Sequence, residues 1–328
     1  MSDTDRFQPI PMARMPRFVG LATFMRLPPV EDPADVDIAL IGVPFDTGTT
    51  NRAGARHGPR QIRDMSTMMR RVNAASKVAP FQLARCADLG DVAINPIEIE
   101  VSLEAIEAFF REVHAAGTIP LSAGGDHLIT LPILRAIAAE RPLGLVHFDA
   151  HSDTTDSYFG ADGRPGSRYA HGTPFRRAIE EGLLDPERVI QIGIRGSLHD
   201  LDDNDWAYEH GLRLVTMEEF EDLGPDGVIA EAWRVVGDGP AYLSFDVDGL
   251  DPVYAPGTGT PEVGGLTTRE ALKMVRGMQG MDLWGGDVVE VAPPYDPLGN
   301  TAIVGASFMF EILCLLADAH RHRTGGSA

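Results

Sequence analysis

Eight short apolar runs, at 37–45, 84–92, 118–125, 143–150, 188–196, 213–220, 241–248 and 287–294, punctuate this chain, and stretches of helical periodicity separate most of them. In "SLEAIEAFFREVHAAG", Leu103, Ile106, Phe109, Phe110 and Val113 fall on one helical face, and Gly117 suits the end of that helix. Thr267 precedes Glu270 by three residues, the spacing of a capping box, so another helix starts there. Strands alternating with helices predict the α/β class, with a mostly parallel sheet covered by helices on both faces. A chain of 328 residues with 44% hydrophobic residues can bury the core this requires. No repeat or linker divides it, so one domain is expected over residues 31–320, with an N-terminal arm at 1–30 and a tail at 321–328.

Several apolar runs end in groups that are costly to desolvate. "HFDAHSD" (147–153) follows the run Leu143, Gly144, Leu145, Val146; "SFDVDGLDP" closes the run beginning at Ala241; "SAGGDH" ends on Asp126 and His127. Open α/β sheets bind their ligands outside the carboxyl ends of the strands. Alternate residues of an extended strand share a face, so Asp149, His151 and Asp153 are expected to converge, and so are Asp246 and Asp248, with His127 beside them. Four crowded carboxylates raise one another's pKa unless cations sit among them. Two divalent ions carry the matching charge. Imidazole and carboxylate without thiolate suit Mn²⁺ first, then Ni²⁺, Co²⁺ or Zn²⁺. His147 reads as a hydrogen-bonded core histidine, and Asp126 and Asp251 as cap or turn residues.

The net charge of −20 disfavours nucleic acid and anionic membrane surfaces as partners and suits a small cationic substrate. Cys86 and Cys314 are too few and too far apart for a disulfide framework, which fits a reducing compartment. The first residues lack the apolar core of a secretory signal and no run of 18 apolar residues follows, so a cytoplasmic protein is expected.

"GGDH", "DAHSD" and "SFDVDGLDPVYAPGTGTPEVGGLT" resemble, in order and spacing, the three signature segments of the ureohydrolase superfamily, the arginases and agmatinases. The similarity spans roughly residues 15–320. Within the superfamily the chain is most similar to the guanidino-acid hydrolases, guanidinopropionases and guanidinobutyrases, through "GLATFMRLP", "NRAGARHGPR", "YFG" and "HGTPFRRAIEEGLLD". This resemblance implies a three-layer αβα fold on a parallel eight-stranded sheet, a binuclear manganese site, hydrolysis of a guanidinium to urea plus an amine, and a homo-oligomer, trimer or homohexamer. It implies that His127, Asp149, Asp153 and Asp246 hold one metal and Asp149, His151, Asp246 and Asp248 the other, with Asp149 and Asp246 bridging. Two such ions lower the pKa of a water enough for attack on the guanidinium carbon. His171 matches the family's proton shuttle and Glu290 the glutamate that pairs with the guanidinium. Tyr158, Arg52 or Arg56 are expected at the far end of the substrate, and the loop 160–170 departs from the relatives. The expected substrate is 3-guanidinopropionate, then 4-guanidinobutanoate. The alternatives are agmatine or another small guanidine or biguanide, and, in another class, a catalytically silent subunit of a hetero-oligomer; the full set of six ligands argues against the last.

Overall fold

The structure is a computed structural model describing residues 6–161, 164–198 and 200–325. Residues 1–5 of the expected arm, 326–328 of the tail and 162–163 of the loop 160–170 lie outside the described residues. The strands β1 (Ile38–Val43), β2 (Cys86–Asp91), β3 (Ile119–Gly124), β4 (Leu143–Phe148), β5 (Leu184–Ile194), β6 (Arg213–Thr216), β7 (Ala241–Asp246) and β8 (Leu283–Val289) form a single sheet. Their order is β2-β1-β3-β8-β7-β4-β5-β6, and every neighbouring pair is parallel. The expected α/β class and eight-stranded sheet are therefore found, with the pairing parallel throughout.

Both faces of a parallel sheet are buried, and the strands show it residue by residue. In β1, Ile38 and Leu40 join the apolar layer on one face, while Ala39, Ile41 and Val43 join the layer on the other. Helices α1 (Gly58–Ser66), α5 (Met217–Val236), α6 (Thr268–Gly277) and α7 (Asn300–Arg323) pack on the first face. Helices α2 (Ile99–Ala115), α3 (Thr130–Ile137) and α4 (Pro174–Glu180) pack on the second. Leu103, Ile106, Phe110 and Val113 of α2 are buried as its periodicity requires, and Thr267 and Glu270 form both bonds of the capping box of α6. Among the described residues α7 is the helix long and apolar enough to cross a membrane, but 83% of its most apolar window is buried inside the fold. Its apolarity is that of a core helix. In the arm, Phe24 and Met25 are buried; the Phe24 N–H donates to Asp88 Oδ2 (2.8 Å), and the Arg63 guanidinium lies 4.1 Å from the Phe24 ring centroid.

The strand boundaries differ from the sequence reading by up to five residues, and two of the shifts have a visible cause. The last strand occupies Leu283–Val289 rather than 287–294. Gly285 and Gly286 dilute its apolar signal, yet a Cβ at Gly285 would meet Tyr242 at 2.8 Å and one at Gly286 would meet Ile312 at 2.9 Å, so their bareness admits the neighbours. Strand β6 ends at Thr216, whose hydroxyl caps α5 by accepting from Glu219 N (3.2 Å).

Candidate metal centre and active site

Strands β3, β8, β7 and β4 are consecutive in the sheet, and each delivers polar residues from its carboxyl end to one place. After β3, a Cβ on Gly125 would lie 1.7 Å from the Phe45 carbonyl oxygen, so only glycine fits. Asp126 then caps the short turn His127–Ile129, accepting from Leu128 N (3.0 Å), and His127 is buried. Strand β4 stops at Phe148, so Asp149, His151 and Asp153 do not share a face by strand alternation as expected. A turn gathers them, and Asp153 sits in the left-handed region at φ 52. Such backbone strain in a non-glycine residue persists where the surroundings hold it. On β7, Asp246 accepts from Asp248 N (2.8 Å) and thereby caps the turn Val247–Gly249. Asp251 anchors its loop through the N–H groups of Val253, Gly264 and Gly265.

His127 Nδ1 faces three carboxylate oxygens, Asp149 Oδ2 at 3.1 Å, Asp153 Oδ2 at 3.1 Å and Asp246 Oδ2 at 3.2 Å. His151 Nδ1 faces two, Asp149 Oδ1 and Asp248 Oδ2, each at 3.3 Å. Asp149 thus turns one oxygen to each group. The six residues read from the sequence are brought together. Burial, with the charges of Asp248 and Asp149, pushes the Asp246 carboxyl well above the usual range, and burial with Asp149 raises Asp248 to about 6. Burial opposes ionisation of Asp149 too, but His147, His127 and His151 hold it well below its ordinary value.

These residues fit metal ions on the arrangement of their own atoms. His127 Nδ1 is buried and has no properly directed hydrogen-bond partner, although three oxygens surround it. One N–H cannot serve three acceptors, whereas a nitrogen lone pair and three carboxylate oxygens converging on one point are a four-donor set for a cation. His151, Asp149 and Asp248 make a second group within metal-ligand reach of one another.

One layer beneath the site a row of polar residues crosses the sheet in register: Ser122, Asp287, Ser244, His147 and Gln191 are successive partners on β3, β8, β7, β4 and β5. All are fully buried. His127 Nε2 lies 2.8 Å from Ser244 Oγ, whose hydroxyl donates to Asp287 Oδ1 (2.6 Å). With Ser244 accepting from Nε2–H, Nδ1 is left as the lone-pair nitrogen. His147, read from sequence as a core histidine, is hydrogen-bonded in the core: the Gln191 amide donates to its Nδ1 (3.0 Å), so its Nε2–H donates to Asp149 Oδ2 (2.8 Å). Ser244, Asp287 and Gln191 escaped the sequence reading; only Ser244, two residues before Asp246 on β7, carried a signal in the period-two pattern.

His171 and Glu290 meet beside this centre, with His171 Nδ1 3.0 Å from Glu290 Oε1 and its Nε2 2.8 Å from Thr50 Oγ1. Burial favours the neutral ring, but the hydrogen bond and charge of Glu290, with Asp126 and Asp153 behind, outweigh it and push His171 up to about 9. Glu290 holds a left-handed φ of 63 and is buried. Its Oε1 also accepts from His127 N (3.1 Å), while its Oε2 has no hydrogen-bond partner.

A cavity of about 530 Å³ opens over these residues, lined among others by His151, Asp153, Tyr158, His171, Arg176, Trp206, Asp246 and Asp248. A larger one, about 890 Å³, lies between the arm, α1 and β2 and contains none of the six clustered residues, so size does not mark the site. Tyr158 reaches the cavity wall with its hydroxyl against Gly172, where a Cβ would come within 2.1 Å of it. The loop beyond folds back through mutual backbone bonds of Tyr158 and Ser167 (3.0 and 2.7 Å). Arg52 and Arg56, expected at the far end of the substrate, do not line this cavity: Arg52 stacks on Tyr295 at 4.1 Å and Arg56 pairs with Asp46.

Comparison with known proteins agrees with this geometry. The model of the Arginase family matches residues 36–315. A guanidinopropionase from Pseudomonas aeruginosa is 61% identical over 315 residues, covering 96% of this chain and 98% of its own. A guanidinobutyrase from the same organism is 49% identical over 323 residues, covering 97% and 99%. The solved structure of proclavaminate amidino hydrolase from Streptomyces clavuligerus superposes with a TM-score of 0.88 at 41% identity, covering 93% of this chain and 99% of that one.

Proposed function

Because the chain belongs to the arginase family, we propose that it is a hydrolase that cleaves a short ω-guanidino acid to urea and an amino acid, 3-guanidinopropionate ahead of 4-guanidinobutanoate. The observation that carries the reading is the buried His127 Nδ1 facing three carboxylates, with Asp149 turned also toward His151 and Asp248. His127, Asp149, Asp153 and Asp246 would hold one ion, and Asp149, His151, Asp246 and Asp248 the second. Bound there, two divalent ions supply the positive charge that lets the carboxylates ionise together and that acidifies water for attack on the guanidinium carbon.

The remaining chemistry belongs to the chain. The unpaired Glu290 Oε2 accepts an N–H of the planar guanidinium and sets its orientation. Water oxygen bonds to the guanidinium carbon, the bond from that carbon to the alkyl nitrogen breaks, and the nitrogen leaves as an amine only if it gains a proton. His171, held protonated near neutral pH by Glu290 and lining the cavity, donates it. Tyr158 closes the wall against the substrate's tail.

Manganese as the resident metal, a cytoplasmic location and a homo-oligomer, trimer or hexamer, complete the proposal. An all-oxygen-and-imidazole donor set supports the first. Two buried free thiols support the second, and exposed Phe18 (90%) and Leu21 (81%) in the arm support the third. Neither agmatine hydrolysis nor a silent subunit is favoured, since the relative at 61% identity is named for a guanidino acid, ahead of an agmatinase from Gallus gallus at 48%, and the six His and Asp residues converge. Urea release by Mn²⁺-loaded protein across 3-guanidinopropionate, 4-guanidinobutanoate, agmatine and arginine tests the reading. The highest kcat/KM is expected for the first; a preference for agmatine or arginine, or no turnover, overturns it.

A further inference from the structure

A guanidino acid carries a carboxylate at the end remote from the reacting carbon, and a cavity rich in acids must offer that anion a partner. Resting on the guanidino-acid reading, we propose that Arg176 binds the substrate carboxylate through its two terminal nitrogens.

Arg176 lies on α4, five residues after His171, and lines the cavity together with His151, Asp153 and His171. Its Nε donates to Glu180 Oε1 (3.1 Å) and lies 3.5 Å from Asp156 Oδ1, and its guanidinium carbon sits 4.7 Å from the centroid of the Trp206 ring. Those contacts fix the side chain. They leave Nη1 and Nη2 without a hydrogen-bond acceptor among the described residues. The neighbouring Arg177 shows the opposite state, with Nη2 bonded to Asp156 Oδ1 (3.0 Å) and Glu180 Oε1 (3.1 Å), Nη1 bonded to the Asp156 carbonyl (3.2 Å), and a side chain only 3% exposed. Arg195, the other arginine at this cavity, directs its terminal nitrogens to the carbonyls of Gly193, Asp248, Gly249, Leu250 and Glu262. Arg177 ties Glu180 of its own helix to Asp156 of the preceding loop, and Arg195 knits loops together; Arg176 alone of the three presents an open fork.

A guanidinium fork and a carboxylate are complementary in shape and charge, and a bidentate pair fixes orientation as well as affinity. Asp202, Asp203 and Glu262 also line this cavity and repel an anion from their side, so the carboxylate is steered to Arg176. An ammonium tail, as in agmatine, would meet a cation there.

The test compares substrates that share the guanidinium end. Arg176→Met removes the charge and keeps a stem to cover Trp206. With 3-guanidinopropionate, KM should rise roughly 10- to 100-fold, the scale of a hydrogen-bonded charge pair, and kcat should stay within about three-fold. With propylguanidine, which has no carboxylate, wild type and variant should share one kcat/KM. Arg176→Lys should recover part of the lost affinity, and Arg176→Gln serves in place of the methionine variant if that chain does not fold. An unchanged KM for the guanidino acid overturns the proposal, and so does an equal loss with both substrates, which would mark Arg176 as structural. If wild type releases urea from no guanidino acid, the functional reading itself fails, a result seen before any variant is made.

Discussion

Replacing Ser244 with alanine removes one oxygen and breaks two buried bonds. Its hydroxyl stands between His127 Nε2 (2.8 Å) and Asp287 Oδ1 (2.6 Å), and no solvent reaches any of the three to substitute for it. In Ser244→Ala the imidazole N–H loses its acceptor. Asp287 Oδ1 loses its donor, although Oδ2 keeps Thr130 (2.8 Å) and Tyr242 (2.9 Å). A buried group left unsatisfied costs about 1–3 kcal/mol, so the pair costs about 2–6 kcal/mol, a large part of the roughly 5–15 kcal/mol that stabilises a folded domain. Thermal melts of metal-stripped protein measure that loss directly. The same change frees the His127 ring to turn or to exchange tautomers, and loss of an outer-shell partner weakens metal binding by roughly 10- to 100-fold. That weakening should fall on the ion held with His127 and spare the one held with His151. A metal-stripped variant within about 0.5 kcal/mol of wild type, the range of an inconsequential substitution, that also binds both ions with unchanged affinity, would refute the reasoning.

Asp149→Ala should lose both ions because its two oxygens face different histidines, whereas His127→Ala should lose chiefly one; elemental analysis showing two ions per chain in Asp149→Ala contradicts this. His171→Asn should lower kcat by roughly 10²–10⁴-fold with both metals retained, and an unchanged kcat removes His171 from the reaction. Glu290 raises the folded pKa of His171 to about 9 from its ordinary 6.5, so their bond contributes fully below pH 6.5 and is lost as pH rises through 9. The wild-type kcat should fall along that alkaline limb, and the limb should be absent from the residual activity of His171→Asn. Tyr158→Met exchanges a phenol packed on Gly172 for a flexible thioether and should shift selectivity from 3-guanidinopropionate toward 4-guanidinobutanoate; one methylene is worth about 1–3 kcal/mol, or roughly 10- to 200-fold in the ratio of kcat/KM values, and a constant ratio reduces Tyr158 to loop packing.

The sheet was legible because strands buried on both faces are continuous apolar runs, and their acidic ends stood out against that background. The shifted last strand shows the limit, since Gly285 and Gly286 look like loop until Tyr242 and Ile312 are seen packed upon them. The His and Asp residues that meet at the strand ends were legible, but strand alternation does not explain their convergence after β4. Alternation would carry Asp149, His151 and Asp153 to one face of a continuing strand; the strand instead stops and a left-handed Asp153 turns the chain inward, which no residue pattern announces. The supporting residues depend on register. Gln191 reaches His147 because β4 and β5 pair those two positions, and Thr50 reaches His171 across 121 residues of chain. Arg176 and Arg177 are indistinguishable in "HGTPFRRAIEEGLLD"; which one keeps its terminal nitrogens open follows from how a helix of seven residues turns the two side chains toward Asp156 and its own Glu180.

On the proposed reading, the cluster at the ends of β3, β4 and β7 is a two-ion centre whose filling enables hydrolysis of a guanidino acid. Titrating Mn²⁺ into chelator-stripped protein, while counting bound metal and recording urea formed from 3-guanidinopropionate, tests it most directly. Binding should saturate at two ions per chain, with urea release appearing as the second ion binds. Full urea release with no bound metal, or saturation at a single ion, would contradict it.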